Sequence, residues 1–461
     1  MTNSSHEAQP DLSTEITLEE PAAETIALSA ADSSHEKPLV IVAHASVGSG
    51  HRSAANAIAQ ALRLQQEELL SGEVATITGD VEADQLLREV DIEVIDILDY
   101  GRVVFDGNKT ASLFTGATRP IYDLTWRYTL TGRILWSGGT IWSRIMYAPF
   151  TEYVSKRKPV AIICTHITAA NAAVSARMLT AQRFPIVAVP TDYETEGLWP
   201  QLTCDLFCVA NEFMAETLRP RKIPEERILI TGIPTREDFR REFDRDQIRE
   251  AYGLPQDKRV VLALAGAYLP RPYIHFRAAL DKTLPYLHLF EPTLHFVFVA
   301  GEDKEYVRHL QTQCRELGLT NVTILNYVED MAALMALSDL VICKSGGLTV
   351  TECLCAKAPM VLLGKAYGQE KANVNMLTGT GAALHVTTAR ELLDTLRHYA
   401  YNPEMGRAML INGSYLRRPD AARDIAAVSM ELAAHPKDPT DPIFRKHFLK
   451  FYWGRRPAHV R

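Results

Sequence analysis

Short apolar runs alternate with segments of helical composition along the chain from residue 38 onward. In the first half, the runs predict six strands, at residues 38–44, 92–96, 161–164, 186–189, 206–209 and 228–230. In the second half, they predict five, at residues 260–264, 294–299, 322–325, 340–342 and 360–363. Because helical segments separate most of these strands, the pattern predicts an α/β fold with two doubly wound, Rossmann-like parallel sheets.

The length of the chain also favours two domains. It has 461 residues, more than one typical core holds, and the strand pattern restarts after the charged segment 236–258. We predict a first domain over 37–235, a second over 236–430, and a ligand cleft between the carboxyl ends of the two sheets. Residues 1–36, rich in Ser, Thr, Ala and Glu, predict a disordered acidic tail rather than a signal peptide.

Composition narrows the range of partners. A formal net charge of −7 argues against a broad nucleic-acid-binding surface. The seven cysteines lack the spacing of a zinc site, so we predict buried thiols in a reducing cytoplasm. The acidic pair Asp244 and Asp246 falls in the charged segment and predicts a solvated helix face rather than a metal site. Since there is no run of about 20 apolar residues, any membrane contact is expected to be peripheral.

A glycine turn after strand 340–342 is the strongest indication of a ligand site. Gly346 and Gly347 allow the backbone to approach a diphosphate, and the helix that follows offers free N–H groups. Glu352, one turn into that helix, can accept hydrogen bonds from a ribose diol. A second polar turn, 368–373, follows the next strand. The layout predicts a nucleotide-sugar site, with an ordinary strand-to-helix turn as the alternative.

Polar residues also follow strands of the first predicted sheet. His51 comes after a Gly-x-Gly turn at a helix start, where the helix dipole lowers the pKa of an imidazole and leaves it able to accept a proton. Asp192 follows strand 186–189 and His166 follows strand 161–164. Asp192 could assist the base or cap its loop, and His166 could line the cleft or be structural. His51 itself could merely cap the turn.

Seven motifs occur in the order seen in monogalactosyldiacylglycerol synthases and processive diacylglycerol glucosyltransferases. The chain resembles these enzymes, which share a GT-B glycosyltransferase family, family 28, with MurG, over about residues 38–430. The motifs are residues 48–51, 190–193, 231–234, 265–267, 326–331, 344–352 and 368–373. The sequence departs from the pattern at Ser345, where many relatives have proline, and at Ser46, where plant relatives carry aspartate.

The resemblance implies an inverting transfer of glucose or galactose from a UDP-sugar to the hydroxyl of 1,2-diacylglycerol, giving a β-glycolipid without a metal or other cofactor. The first domain would bind the lipid and the second the UDP-hexose. His51 would be the base, or would position the acceptor, and Asp192 would orient or assist it. Other donor contacts are implied at the ribose (Glu352), the uracil (the Val328 backbone), the diphosphate (Gly266, Gly346, Gly347, Thr349) and the sugar hydroxyls (Gln369, Glu370, Asn373).

Two segments have the composition of a membrane-facing surface. In residues 119–150, aromatic and aliphatic residues alternate with arginines, which predicts a membrane-facing surface or, alternatively, a helical hairpin packed on its own core. In the family that the chain resembles, this part of the first domain admits the lipid. The acceptor and membrane residues implied there and at the cleft are Gly50, Trp126, Arg127, Trp136, Trp142 and His166. The tail 431–461 is basic and aromatic, and it either anchors to anionic lipid or packs back on the first domain. We expect a cytoplasmic protein bound to the inner face of the cell membrane.

Three rival functions share this fold. A MurG-like enzyme would transfer N-acetylglucosamine to a lipid-linked precursor, and a UDP-sugar epimerase would need no lipid. A non-catalytic UDP-sugar sensor would not depend on His51. The sequence does not distinguish glucose from galactose, because these sugars differ at one hydroxyl.

Overall fold

A computed structural model describes residues 37–102, 141–194, 199, 203–219, 223–266, 270–366 and 368–436. Its first sheet has six parallel strands in the order β2-β1-β3-β4-β5-β6. They are β1 (Leu39–His44), β2 (Asp91–Asp96), β3 (Ala161–Cys164), β4 (Ile186–Ala188), β5 (Leu206–Val209) and β6 (Ile228–Ile230).

The second sheet also has six parallel strands, in the order β12-β11-β10-β7-β8-β9. They are β7 (Arg259–Leu264), β8 (Leu294–Val299), β9 (Val322–Leu325), β10 (Leu340–Cys343), β11 (Met360–Leu363) and β12 (Ala383–Val386). The predicted α/β fold with two Rossmann-like sheets is confirmed. Strand β12 is the one that the sequence pattern did not predict.

Helices connect the strands, as parallel pairing requires. In the first half they are α1 (Ser49–Ser71), α2 (Val81–Glu89), α3 (Ala148–Arg157), α4 (Ile167–Thr180) and α5 (Glu212–Leu218). In the second half they are α6 (Arg245–Ala251), α7 (Pro270–Asp281), α8 (Lys304–Glu316), α9 (Met331–Leu337), α10 (Gly347–Cys355), α11 (Gln369–Gly379), α12 (Ala389–Tyr401), α13 (Glu404–Gly413) and α14 (Ala421–Ala434). Residues 141–146 are also helical.

Apolar residues cover both faces of each sheet. In β1, Val40 and Val42 pack in one buried cluster, whereas Ile41 and Ala43, which point the other way, pack in another. The second of these clusters continues into the second domain, where it includes Val260. The two domains therefore share a contiguous apolar core beneath the cleft.

Helix α14 crosses back from the second half of the chain to the first sheet. Its apolar side chains, among them Ile425 and Met430, pack in the buried cluster that contains Val40. Most of α14 lies in the range 236–430 that was assigned to the second domain, so in space the first domain also includes this helix. The chain leaves the first domain near Gly232 and returns to it near Arg418, just before α14, and these two segments are in contact. Gly232 has φ 96°, and a Cβ there would lie 2.4 Å from the Cβ of Arg418, so only glycine fits.

Two sequence predictions concern side-chain environment. All seven cysteines are buried free thiols, as predicted. Asp244 and Asp246 are both exposed, also as predicted, and the Asp244 carboxylate caps α6 by accepting from the Asp246 backbone N–H at 3.0 Å. In the part of the chain that the structure describes, no helix is long and apolar enough to cross a membrane.

Candidate active site

His51 lies in the first turn of α1, directly after β1, and it is half-buried. Its Nδ1 atom is 3.0 Å from the backbone oxygen of Thr165 and 2.9 Å from the Oγ1 of Thr191. A carbonyl oxygen can only accept a hydrogen bond, so this contact places the ring hydrogen on Nδ1 and leaves the lone pair on Nε2. Burial lowers the pKa of His51 to about 4, against the opposing contact with Thr165. The imidazole is therefore neutral at physiological pH.

His166 borders His51 and also caps a helix. Its Nδ1 accepts the backbone N–H of Thr168 at 3.1 Å, which caps the start of α4. Its ring meets that of His51 edge to face, with centroids 4.6 Å apart. Burial, with the nearby His51 as a further cause, lowers the pKa of His166 well below its usual value. His166 is thus a structural cap and at the same time a wall of the site.

A small pocket brings the two domains together at the carboxyl edges of their sheets. First-domain residues form most of it, and Gln369, at the start of α11, closes it from the second domain. The lining consists of His51, His166, Ile167, Pro190, Thr191, Asp192, Glu194, Trp199 and Gln369. The predicted base and one predicted sugar ligand therefore face the same space.

The loop after β4 lies against the start of α10. The Asp192 carboxylate accepts from Asn373 Nδ2 at 2.9 Å and from the backbone N–H of Gly347. A Cβ on Gly347 would lie 2.0 Å from the Thr191 carbonyl oxygen, so this position requires glycine. Burial raises the pKa of Asp192 to about 6, although the hydrogen bond from Asn373 opposes the shift.

Two further carboxylates lie on the donor side. Glu352 is half-buried on α10, and burial raises its pKa to about 7 despite the favourable field of Arg236. Glu370, in the first turn of α11, forms a 3.0 Å ion pair with Lys344 at the end of β10. Lys344 therefore lies beside the starts of α10 and α11, where Glu370 balances its charge.

The other predicted donor residues follow the carboxyl ends of strands in the second sheet or lie in the helix that begins there. Gly266 follows β7, which pairs with β10, so it is next to the turn that carries Gly346. A Cβ on Gly266 would meet the Gly301 backbone nitrogen at 3.1 Å. Thr349 lies in the first turn of α10, whereas Val328 follows β9 at the far edge of the sheet.

The acceptor side is described only in part. Gly50 lies close to α10, since a Cβ there would be 3.7 Å from the Cβ of Leu348, so α1 and α10 begin side by side. Trp142 is 57% exposed. Three predicted membrane residues, Trp126, Arg127 and Trp136, lie outside the described residues, as does the tail 437–461.

Sequence reasoning missed several residues of the site. Thr191 and Tyr193 belong to a motif that the sequence analysis singled out, so their spacing to Asp192 was a usable signal. Thr165 accepts from His51 through its backbone oxygen, which carries no residue-type signal, and its hydroxyl donates to the His51 backbone oxygen at 2.9 Å. Thr351 is buried on α10, and its hydroxyl contacts that of Tyr193 at 2.9 Å. Within the described ranges, no three His, Cys, Asp or Glu side chains are grouped to hold a metal.

Two Rossmann-like domains with a ligand pocket between the carboxyl ends of their sheets define the GT-B class of fold. Residues 51–235 match the family model of monogalactosyldiacylglycerol (MGDG) synthase, and residues 276–409 match that of the glycosyltransferase family 28 C-terminal domain. The chain therefore combines a first domain that is similar to monogalactosyldiacylglycerol synthases with a family 28 glycosyltransferase C-terminal domain.

Similar proteins include a processive diacylglycerol beta-glucosyltransferase of Bacillus licheniformis, 29% identical over 212 residues. That match covers 46% of this chain and 53% of the relative, so it spans about half of the relative's length. Among solved structures, Acinetobacter baumannii MurG is similar with a TM-score of 0.51 and 18% identity, covering 86% of this chain and 99% of that one. The UDP-GlcNAc 2-epimerase of Neisseria meningitidis, bound to UDP-GlcNAc, has a TM-score of 0.51 and 15% identity, covering 85% and 100%. These likenesses support the fold.

Proposed function

We propose that the protein transfers glucose or galactose from a UDP-sugar to the hydroxyl of 1,2-diacylglycerol with inversion, giving a β-glycolipid. The observation that carries the proposal is the placement of His51 in one pocket with Gln369 of the donor domain. The family match and the diacylglycerol glucosyltransferase relative support the substrate class.

On the acceptor side, His51 is the general base. Its Nε2 takes the proton of the lipid hydroxyl as the hydroxyl oxygen bonds to the anomeric carbon, and solvent later removes that proton. The bond from the anomeric carbon to the phosphate oxygen breaks at the same time, and UDP leaves with the electron pair. The contact from Nδ1 to Thr165 holds the imidazole in the tautomer that this step needs.

On the donor side, helix starts and one lysine stabilise the leaving diphosphate. The backbone N–H of Gly347 already donates to Asp192. We therefore assign the phosphates to the next two backbone N–H groups of α10, those of Leu348 and Thr349, and to the turns at Gly346 and Gly266. Lys344, which pairs with Glu370 in this structure, is the cation that we assign to the diphosphate. These groups take the role that a metal has in other transferases, so we expect transfer to continue in EDTA.

The nucleoside and the sugar are assigned to neighbouring residues. Glu352 accepts from the ribose hydroxyls, and the Val328 backbone binds the uracil edge. Gln369 and Glu370 bind the sugar hydroxyls from the start of α11. Asn373 has a different role in our proposal, because its amide is already bound to protein groups on both sides of the cleft.

We further propose that the enzyme is cytoplasmic and binds peripherally to the inner face of the cell membrane. On the helical segment 141–146, Ile141, Trp142 and Ile145 are each at least half exposed, with an exposed arginine, Arg144, between them. Residues at this spacing share one helix face. An apolar face with a cation is suited to anionic lipid headgroups.

One assay tests this proposal against its rivals. The protein is incubated with radiolabelled UDP-glucose, UDP-galactose or UDP-N-acetylglucosamine and vesicles that contain diacylglycerol, and the lipid fraction is analysed for a β-linked product. A labelled hexosyl-diacylglycerol is the expected result. Product formed only with a lipid-linked peptidoglycan precursor, or conversion of free UDP-N-acetylglucosamine without acceptor, would overturn the proposal.

A further inference from the structure

Three consecutive residues, Thr191, Asp192 and Tyr193, contact both halves of the proposed site; we call them the linking loop. The Thr191 hydroxyl lies 2.9 Å from Nδ1 of His51 in the first domain. Two residues on, the Tyr193 hydroxyl lies 2.9 Å from that of Thr351 on α10 of the second domain. The linking loop thus joins the base to the donor helix over a very short stretch of chain.

Asn373 on α11 fastens the linking loop to the second domain. Its Oδ1 accepts the backbone N–H of Tyr193, and its Nδ2 donates to Asp192 and to the Ser345 carbonyl oxygen, each at 2.9 Å. The residue is fully buried. Both amide hydrogens and the amide oxygen are therefore engaged, and a sugar hydroxyl could accept from Asn373 only if one of these bonds broke.

The linking loop also packs tightly against Gly347 at the start of α10, so a shift of α10 would displace the loop. The Thr191 carbonyl oxygen and the Asp192 carboxylate occupy the space where a side chain on Gly347 would project. Thr165, the other partner of His51 Nδ1, belongs to the first domain alone. The hydrogen bond from His51 to Thr191 therefore connects the base to the loop that Asn373 holds, in addition to the contact between the starts of α1 and α10.

We propose that Asn373 is a positioning residue that holds the linking loop on α10 and α11 and, through Thr191, fixes His51 relative to the donor. The inference rests on the proposed function, in which His51 removes the acceptor proton. Gln369 and Asn373 lie four residues apart on α11, so they share one helix face. A sugar bound at Gln369 then orders the same face that holds the base in place.

Kinetics of Asn373→Ala and Asn373→Asp test the proposal. Asn373→Asp keeps the acceptor for Tyr193 but loses both donated bonds. We expect kcat to fall by about 10- to 100-fold, the effect of a base misplaced by about 1 Å, while KM for the UDP-sugar stays within about twofold. The acid limb of kcat should also move up, towards the ordinary pKa of histidine, as His51 becomes more solvated. Asn375→Ala, an exposed position on the same helix, should match the wild type.

The opposite kinetic pattern would overturn the proposal. A rise in donor KM with kcat unchanged would make Asn373 a sugar ligand, and unchanged kinetics would leave it without a role in positioning. If Asn373→Ala does not fold, Tyr193→Phe, which removes only the contact with Thr351, should still lower kcat without changing donor KM.

A second measurement needs no catalytic turnover. Spin labels are attached at Glu73→Cys on the first domain and Gln311→Cys on the second, both exposed, and the seven native thiols are buried. The interdomain distance distribution should broaden in Asn373→Asp and remain narrow in Asn375→Ala. An unchanged distribution in Asn373→Asp contradicts the inference. If the distribution broadens in Asn373→Asp but the wild-type protein transfers no hexose, the proposed function fails while the interdomain contact made by Asn373 is supported.

Discussion

At the scale of single residues, burial is the main cause of the pKa shifts of the ionisable groups in the candidate site. It raises the pKa of Asp192 to about 6 and that of Glu352 to about 7, and it lowers the pKa of His51 to about 4. Each shift favours the neutral form of its group. The base is therefore free of its proton at pH 7, while Glu352 is close to half ionised.

We expect His51→Asn to lower kcat for hexose transfer by about 10²- to 10⁴-fold, the usual contribution of a general base. The asparagine amide can still donate to the Thr165 carbonyl oxygen, but it has no basic nitrogen in place of Nε2. Donor KM should change little, because His51 lies on the acceptor side. Steady-state kinetics measure both parameters, and His435→Asn, at an exposed histidine, is the control. Wild-type kcat in His51→Asn would exclude it as the base.

Glu352→Gln should stabilise the fold and weaken donor binding together. The folded-state pKa of about 7 lies above the ordinary 4.5, so ionised Glu352 destabilises the fold at high pH. That cost, at most about 3 kcal/mol, falls as the pH drops through 7 towards 4.5, where the unfolded chain also takes up the proton. Urea unfolding at pH 8 and pH 5 should show the variant more stable than the wild type at pH 8, with a smaller difference at pH 5.

Donor affinity gives the other half of that prediction. Calorimetric titration with UDP should show weaker binding to Glu352→Gln, because an amide offers one acceptor oxygen where the carboxylate offers two. Glu316→Gln, an exposed glutamate at the carboxyl end of α8, is the matched control. Equal UDP affinity in Glu352→Gln and wild type would contradict the ribose role.

At the scale of elements, apolar runs located eleven of the twelve strands, because strands covered on both faces are almost continuously apolar. Strand β12 was not predicted because its four residues include a polar His385, which interrupts the apolar run, and an exposed Leu384. The start of α10 was predicted from its glycine turn, whereas residues 368–373, which were predicted as a polar turn, form the first turn of helix α11 after Gly368. The bond between Asn373 and Asp192 was not, since it joins residues 181 positions apart, and no local pattern records such a contact.

The helical segment 141–146 supports a prediction about membrane binding. Trp142→Ser with Ile145→Ser should lower the vesicle-bound fraction, with a partition coefficient at least about tenfold smaller, because burying each side chain contributes about 1.5–3 kcal/mol. Cosedimentation with vesicles of diacylglycerol and anionic phospholipid measures it. Leu289→Ser, at an equally exposed leucine of the second domain, should bind like the wild type. Equal binding by all three proteins would remove this face from the membrane contact.

At the scale of the whole molecule, two segments of the chain make contacts that hold the two domains together. The linking loop joins them at the site, and α14 returns from the second domain to pack on the first sheet. Arg423 on α14 pairs with Glu68 of α1 at 2.7 Å and with Glu237, just after the first domain, at 2.9 Å. One guanidinium thus holds two carboxylates from separate segments at the crossover, which fixes the angle at which the second half of the chain returns.

Arg423→Met should therefore destabilise the fold by about 1–3 kcal/mol, less than the 3–5 kcal/mol of a fully buried pair, because all three side chains are about one-fifth exposed. The loss comes mainly from Glu68, which is left without a cation, because Glu237 still pairs with Arg240. Urea unfolding measures it, and Arg407→Met, which breaks an exposed pair with Glu404, should change stability by less than about 1 kcal/mol. Adding Glu68→Gln to Arg423→Met should restore part of the loss, because it removes one unpaired charge. A double variant less stable than Arg423→Met would show that packing of α14, rather than charge, holds the crossover.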